Sequence, residues 1–136
     1  MQNVRRLIYE EYQRQKAIPF VWGESDCGLF VADVAKLLTG HDPAADIRSG
    51  AYDSKVGYKR LMVERGFESL GDVAAATYPE IPVAQAKNGD WVFVVNEDGT
   101  ETLGVVCGAQ ILARAEEGLG IHVLTKASRA FRVMEE

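Results

Sequence analysis

The residue best suited to chemistry in this chain is Cys27, which stands in the segment 22–28, Trp-Gly-Glu-Ser-Asp-Cys-Gly. A Trp-Gly turn leads there into a run with helical periodicity, which predicts that Cys27 lies in the first turn of a helix. The positive end of a helix dipole and unpaired backbone N–H groups favour a thiolate over a thiol. Cys27 is therefore the candidate nucleophile of the chain.

A cysteine nucleophile needs a proton acceptor within hydrogen-bond reach, and the chain contains two histidines. His122 lies in a strand-like segment and is the candidate substitute base, provided that its strand borders the same cleft as Cys27. Its alternation with Ile121 and Val123 is also typical of a solvent-facing or edge residue. His41 follows the Cys27 helix, so we expect it on the order of 18 Å from the thiol, as a turn residue.

The sequence predicts neither a metal site nor a cofactor. Cys27 and Cys107 are the two cysteines of the chain, without a Cys-x-x-Cys pair and without clustered histidines, which excludes a local zinc site on spacing. Cys107 falls in an apolar, strand-like run, where a thiol usually packs as a small hydrophobic side chain. A disulfide between the two cysteines is therefore not expected. The acidic stretch 96–98 has too few alternating carboxylates for a calcium loop.

Composition limits the classes of function. The chain has 136 residues, of which 47% are apolar and 26% charged, values typical of one globular domain with a hydrophobic core. A net charge of −5 disfavours nucleic acid or an anionic membrane surface as the main partner. The polar, periodic N-terminus has no signal-peptide core, and no segment approaches a membrane span. We therefore expect synthesis in a cytosol without a signal peptide, and no membrane insertion.

Periodicity and turn residues predict helices first and an antiparallel sheet second, which is the α+β pattern, in a single domain over residues 1–136. Helices are predicted over residues 3–16, 26–39, 55–65 and 69–77. About five strands are predicted, over residues 91–95, 103–107, 110–114, 121–124 and 130–134. A hairpin over residues 96–100, which contains Asp98-Gly99, and a turn over residues 116–120 connect them.

The order of motifs resembles the NlpC-type cell-wall peptidases, a branch of the papain-like cysteine hydrolases. The similar motifs are Phe-Val-Trp-Gly at 20–23, Asp-Cys-Gly at 26–28, Asn-Gly-Asp-Trp-Val-Phe-Val at 88–94 and Leu-Gly-Val-Val-Cys-Gly at 103–108. Together with the ending Phe-Arg-Val at 131–133, they most resemble compact tail-associated members from phages, prophages and gene-transfer agents. The resemblance implies a papain-like arrangement of N-terminal helices on the sheet.

The resemblance also assigns positions to individual residues. Cys27 takes the position of the nucleophile, and Asp26 matches the residue before it. Phe20 stands where the family has a tyrosine associated with the oxyanion site, and it has no hydroxyl to donate. Thr102 takes the position of the catalytic histidine, and its hydroxyl has no pKa suited to a general base. Arg114 falls near the third polar group of the family. These four flanking positions are predicted to be vestigial.

The first hypothesis for function is thus a structural or assembly protein of a phage-type tail tip or baseplate, on a degenerate peptidase domain. Its partners would be other tail or baseplate proteins, and its location the tail of a virion, prophage or gene-transfer-agent particle. The alternative is an active cysteine amidase or endopeptidase that cleaves peptidoglycan during genome entry, with Cys27 as nucleophile and His122 or a partner's residue as base. A thiol-based redox or regulatory protein is a further alternative.

Overall fold

The protein's structure is a computed structural model that describes residues 3–48, 51–115 and 118–134. Within these ranges four α-helices form, close to the predicted positions. They are α1 Val4–Gln15, α2 Cys27–Thr39, α3 Lys55–Glu64 and α4 Leu70–Thr77.

Short polar side chains begin each helix. Asn3, Asp26, Ser54 and Ser69 are the N-caps, and each side chain accepts a hydrogen bond from a backbone N–H of the first turn. Such caps satisfy donors that the helix cannot pair internally. Gly40 ends α2 in the left-handed conformation, at φ of 81°. The local sequence therefore determines where the Cys27 helix starts and stops.

In the part of the chain that the structure describes, six strands form a single antiparallel sheet, so the predicted class α+β is confirmed, whereas the predicted number of about five strands is wrong. The additional strand is β1, which has two residues. In chain order the strands are β1 Glu80–Ile81, β2 Trp91–Val95, β3 Glu101–Cys107, β4 Gln110–Ala115, β5 Gly118–Val123 and β6 Arg129–Phe131. Their spatial order is β1-β6-β2-β3-β4-β5. The strand β5 already includes 118–120, which we predicted as a turn, and 116–117 of that turn lie outside the described residues.

The two faces of the sheet carry separate apolar cores, because successive residues of a strand point to opposite faces. One face packs against the helices, with Leu103 and Val105 of β3 in the same cluster as Phe30 and Val34 of α2. The other face carries a second buried cluster, made of Val92, Val94, Val106, Ile111 and Ala130. The 3₁₀ turns Val83–Gln85 and Leu124–Lys126 supply side chains that pack on this second face.

Asp90 joins the start of β2 to the segment after β6. Its buried carboxylate accepts hydrogen bonds from the backbone N–H groups of Val133 and Met134, at 2.9 and 3.2 Å, and from Arg132 Nε at 3.1 Å. The motifs at 88–94 and 131–133 are therefore one structural unit. No helix among the described residues is both long and apolar enough to cross a bilayer.

Candidate functional site at the start of the Cys27 helix

A tight turn leads into α2. The carbonyl of Val21 accepts hydrogen bonds from the N–H groups of Glu24 and Ser25, and Ser25 Oγ donates to the carbonyl of Pro19 at 2.5 Å. Gly23 has φ of 83°, and a Cβ atom on it would lie 2.0 Å from the carbonyl oxygen of Tyr52. Only glycine fits here, because the turn needs a left-handed residue and the Tyr52 backbone occupies the space of a side chain.

Asp26 connects this turn, the helix and a distant tyrosine. Its Oδ1 accepts from the N–H of Leu29 at 3.0 Å, and its Oδ2 accepts from the N–H of Gly23 at 2.9 Å and from Tyr52 Oη at 2.5 Å. The side chain is buried. Both oxygens are thus held by donors, and Asp26 serves as the N-cap of α2 immediately before Cys27.

Four aromatic rings lie beside the start of α2. Phe20 packs edge-on to Trp22 at 5.0 Å between ring centroids, and Tyr52 packs edge-on to Tyr58 at 5.1 Å. Trp22 joins the two pairs, since its ring lies 5.8 Å from that of Tyr58. Cys27 is partly buried and packs, like Tyr58, against the helix-side core. Cys27 therefore packs on the helix-side core and lies near enough to Tyr52 and Tyr58 for its charge to influence the pKa of both phenols.

The two phenols near Cys27 keep their protons. Burial raises the pKa of Tyr52 well above its usual value, and the hydrogen bond to Asp26 and the nearby negative charges raise it further. Burial also raises the pKa of Tyr58, with further contributions from the charges of Cys27, Asp26 and Glu101. These side chains can donate hydrogen bonds at neutral pH, but they cannot accept a proton from a thiol.

Both imidazoles of the chain lie away from Cys27. His122 of β5 is directly opposite Ile111 of β4, and opposed residues of an antiparallel pair point to the same face. Ile111 belongs to the second core, so His122 lies on the face turned away from α2. His41 is exposed beyond the C-terminal end of α2, thirteen residues of helix from Cys27. The sheet separates the thiol from one histidine and the length of a helix separates it from the other.

Thr102 also lies on the face away from α2. It pairs with Val94, a member of the second core, and its Oγ1 accepts a hydrogen bond from Asn96 Nδ2 at 3.0 Å. The neighbouring β3 residues that face the helices are Glu101 and Leu103. Glu101 is exposed, its Oε1 accepts from the N–H of Leu70 at 3.1 Å, and its charge reaches Tyr58. The carboxylate of Glu101, rather than Thr102, is thus the polar β3 group on the thiol's side of the sheet.

Arg114 is buried on the helix side of β4. Its guanidinium donates to the side-chain oxygen and the backbone carbonyl of Gln15, each at 3.0 Å, and to the carbonyl of Ile18. Burial lowers the pKa of Arg114, while the charges of Asp33 and Asp26 act in the opposite direction. A cation that satisfies carbonyls at the C-terminal end of a helix stabilises that end, so Arg114 anchors α1 to the sheet.

Cys107 and Phe20 take roles in packing. Cys107 is buried in β3, its Sγ lies 3.7 Å from the carbonyl of Arg5, and burial raises the pKa of the thiol. The two cysteines do not form a disulfide. Phe20 packs on Trp22, as described above. Among the described residues, no three His, Cys, Asp or Glu side chains form a group that could hold a metal ion.

Sequence reasoning missed Tyr52 and Tyr58, which supply the hydroxyls beside the thiol. They come from a segment predicted as loop and from α3, twenty-five and thirty-one positions after Cys27 in the sequence. No local motif marks them, because only the tertiary fold brings them to Asp26. The available signal was the hydroxyl absent from Phe20, which could have prompted a search for another hydroxyl to replace it. The site therefore offers a thiol, an aromatic surface and the hydroxyl of Tyr58, since Tyr52 already donates its one proton to Asp26.

The fold and this site define a single-domain α+β protein with a thiol at the start of a capped helix. A family described as a domain of unknown function, DUF6950, matches residues 1–133. The chain belongs to that family. No curated protein matches it.

Proposed function

We propose that this protein is a structural or assembly component of a phage-type tail, built on a papain-like, NlpC-type domain whose acid–base machinery is lost. The observation that carries the proposal is the position of the two imidazoles, one across the sheet from Cys27 and the other beyond the far end of α2. A cysteine hydrolase needs a base within hydrogen-bond reach of its thiol.

The groups that surround Cys27 support the same proposal. Asp26 is held by three donors, and the phenols of Tyr52 and Tyr58 stay protonated. A carboxylate fixed in an N-cap stabilises the helix, and both oxygens of this one already accept hydrogen bonds. The groups around Cys27 therefore support the framework of the domain, as expected for a structural component.

The papain-like topology and the tail setting come from the motifs at 20–28, 88–94, 103–108 and 131–133. Their order is compatible with the observed helices on one face of an antiparallel sheet. Fold alone never establishes function, so the tail setting needs its own experiment. The partners proposed are neighbouring tail-tip or baseplate proteins.

A genetic complementation tests the proposal where the protein is produced by a phage or prophage. We expect deletion of the protein to abolish complete tails in electron micrographs, and Cys27→Ala to restore them as well as the wild type does. Normal tails after deletion would overturn the assembly role. Tails restored by the wild type but not by a folded Cys27→Ala variant would instead indicate that the thiol is required.

The second candidate function is an active peptidoglycan amidase or endopeptidase. The observation that favours it is the position of Cys27 in the first turn of α2, where the thiol is only partly buried. Incubation with purified peptidoglycan distinguishes the two functions. We expect neither the wild type nor Cys27→Ala to release soluble stem peptides, with Cys107→Ala as the matched control. Release by the wild type and by Cys107→Ala, but not by Cys27→Ala, would establish the enzyme.

A further inference from the structure

The outer face of α3 combines exposed apolar residues with cations. Val56 and Val63 are 67% and 73% exposed, the two highest values among the large apolar residues of the described chain. Lys59 and Arg60 are also exposed and lie three or four residues from each valine, so the four side chains share one face of the helix. Met62, on the opposite side, is buried. These four exposed side chains form the α3 face, an apolar stripe flanked by positive charge.

The cations of the α3 face are not neutralised by neighbouring carboxylates. Residues 55–65 carry four cations and one acid, in a chain whose net charge is −5. Arg65 pairs with Asp46 at 2.9 Å, whereas Lys59 and Arg60 form no ion pair with the residues that the structure describes. A basic and partly apolar face is complementary to a surface that is acidic and partly apolar.

The start of α3 has the same preference for an acidic partner. Lys55 is the first residue of the helix, and no acid lies in the first turn. The N-terminal end of a helix dipole favours negative charge, so a lysine at this position is locally unfavourable. A carboxylate from a partner beside Lys55 would interact favourably with both the ammonium group and the end of the helix.

The hairpin that joins β2 to β3 has the complementary character. Its residues 95–101, the hairpin tip, carry three acids and no cation. Glu97, Asp98 and Glu101 are exposed, and none of them forms an ion pair with the described part of the chain. Val95 is 54% exposed and lies directly opposite Glu101. The hairpin tip thus offers an apolar side chain beside carboxylates, as the α3 face offers apolar side chains beside cations.

The hairpin tip and α3 lie at the same end of the domain. Glu101 is two residues from Leu103, which packs against the helices, so both point to the helix side of the sheet. Val95, opposite Glu101, points to the same side. The charge of Glu101 reaches Tyr58 of α3. Two complementary surfaces that lie near each other on one copy can both be engaged by a second copy related by a two-fold axis.

We propose that the α3 face of one copy of this chain docks on the hairpin tip of a second copy, and that a two-fold axis makes the same contact twice. In this dimer Lys59 and Arg60 face the carboxylates of the other copy's hairpin tip, and Val95 covers part of the apolar stripe. A second copy is the occupant because the chain itself carries the surface complementary to the α3 face. Opposite charges then meet at both contacts, even though each copy as a whole is acidic.

Sedimentation equilibrium of the full chain at low salt tests the dimer. We expect the wild type to dimerise at concentrations up to about 100 µM and to dissociate as salt is added, because salt screens exposed charges. Lys59→Glu and Glu97→Lys should each raise the dissociation constant about tenfold or more, because each substitution affects both contacts. Lys126→Glu reverses a charge at an exposed position beside the second core, so it is the matched control and should dimerise like the wild type.

A mixture of the two variants tests which surfaces meet. In a mixed dimer one contact pairs the reversed charges of Lys59→Glu and Glu97→Lys, and the other contact keeps the two original charges. We therefore expect the mixture to dimerise about as tightly as the wild type, although neither variant does so alone. A mixture no better than either variant, or an equal loss in Lys126→Glu, would overturn the assigned surfaces. A wild type that is monomeric at about 100 µM would overturn the dimer, even if it bound vesicles of an anionic phospholipid.

Discussion

At the scale of single residues, the site combines a thiol with a carboxylate that already has partners. Asp26 lies directly before Cys27 and accepts three hydrogen bonds, one of them from Tyr52. The positive end of the α2 dipole favours a thiolate at Cys27, while a buried carboxylate next to it acts against one. A cysteine peptidase would favour the thiolate with a histidine whose imidazole accepts the proton of the thiol. Both histidines of this chain lie away from Cys27.

Gly23 gives the first prediction at this scale. We expect Gly23→Ala to lower the free energy of unfolding by about 2 kcal/mol or more, because the new Cβ meets the Tyr52 carbonyl and the residue has φ of 83°. Urea denaturation measures the change. Gly99→Ala is the matched control, since Gly99 has φ of 86° with nothing within 4 Å of the added Cβ. Equal losses in both variants would show that the contact with Tyr52 is unimportant.

The hydroxyl of Tyr52 gives a second prediction. We expect Tyr52→Phe to cost about 1–2 kcal/mol of unfolding free energy, because it removes a donor to a buried carboxylate while the ring stays in the aromatic cluster. Thermal or urea unfolding of the two proteins measures the loss. A neutral or stabilising substitution would contradict the role of this hydroxyl in holding Asp26.

At the scale of helices and strands, the sequence predicts elements that local signals determine. It misses elements that form only by pairing with a distant part of the chain. The four helices were predicted to within two residues, because caps such as Ser54 and Ser69 and stops such as Gly40 act within one turn. β1 was missed because two residues become a strand only by pairing with β6. The start of β5 at Gly118 was missed for a similar reason, since β4 continues the pairing to that residue.

The faces of the strands could not be predicted from motifs. The resemblance to the NlpC-type peptidases assigned Thr102 to the position of the catalytic histidine. The face of the sheet on which Thr102 lies is set instead by its pairing with Val94, across the hairpin. A shift of one residue along a strand moves a side chain to the opposite face of the sheet. The candidate nucleophile was identified from the sequence because its helix start is local. Its neighbours Tyr52 and Tyr58 were not identified from the sequence, because only tertiary contacts bring them to the site.

Asp90 gives the prediction at the scale of elements. We expect Asp90→Ala to lower the free energy of unfolding by about 3 kcal/mol, because it leaves Arg132 and the N–H groups of residues 133 and 134 without their buried acceptor. Urea denaturation measures the loss. Glu97→Ala, in the exposed turn after β2, is the control. A loss below about 1 kcal/mol would contradict the role of Asp90 in joining β2 to the end of the chain.

At the scale of the whole molecule, buried tyrosines link stability to alkaline pH. Burial raises the pKa of Tyr12, Tyr52, Tyr58 and Tyr78 in the folded protein above the value of about 10 in the unfolded chain. Above that pH the unfolded chain loses protons that the folded protein retains, and stability falls as pH rises. Below it, this contribution is fully present.

We therefore expect the midpoint of urea denaturation to fall steadily as the pH rises above about 10. Tyr58→Phe should make this fall shallower, because it removes one group that ionises only in the unfolded chain. Tyr9→Phe, at a half-exposed ring, is the matched control. The same pH dependence in Tyr58→Phe and in the wild type would contradict the burial of this phenol.

The thiol itself allows the most direct test of the claim that no imidazole serves Cys27. The measurement is the rate of Cys27 alkylation by iodoacetamide from acid to alkaline pH, in a Cys107→Ala background, for the parent and for His41→Gln and His122→Gln. We expect three profiles that agree within about twofold at every pH, because neither histidine contacts the sulfur. A decrease of about tenfold or more at neutral pH in His122→Gln, with the fold intact, would contradict this claim and would favour a cysteine hydrolase.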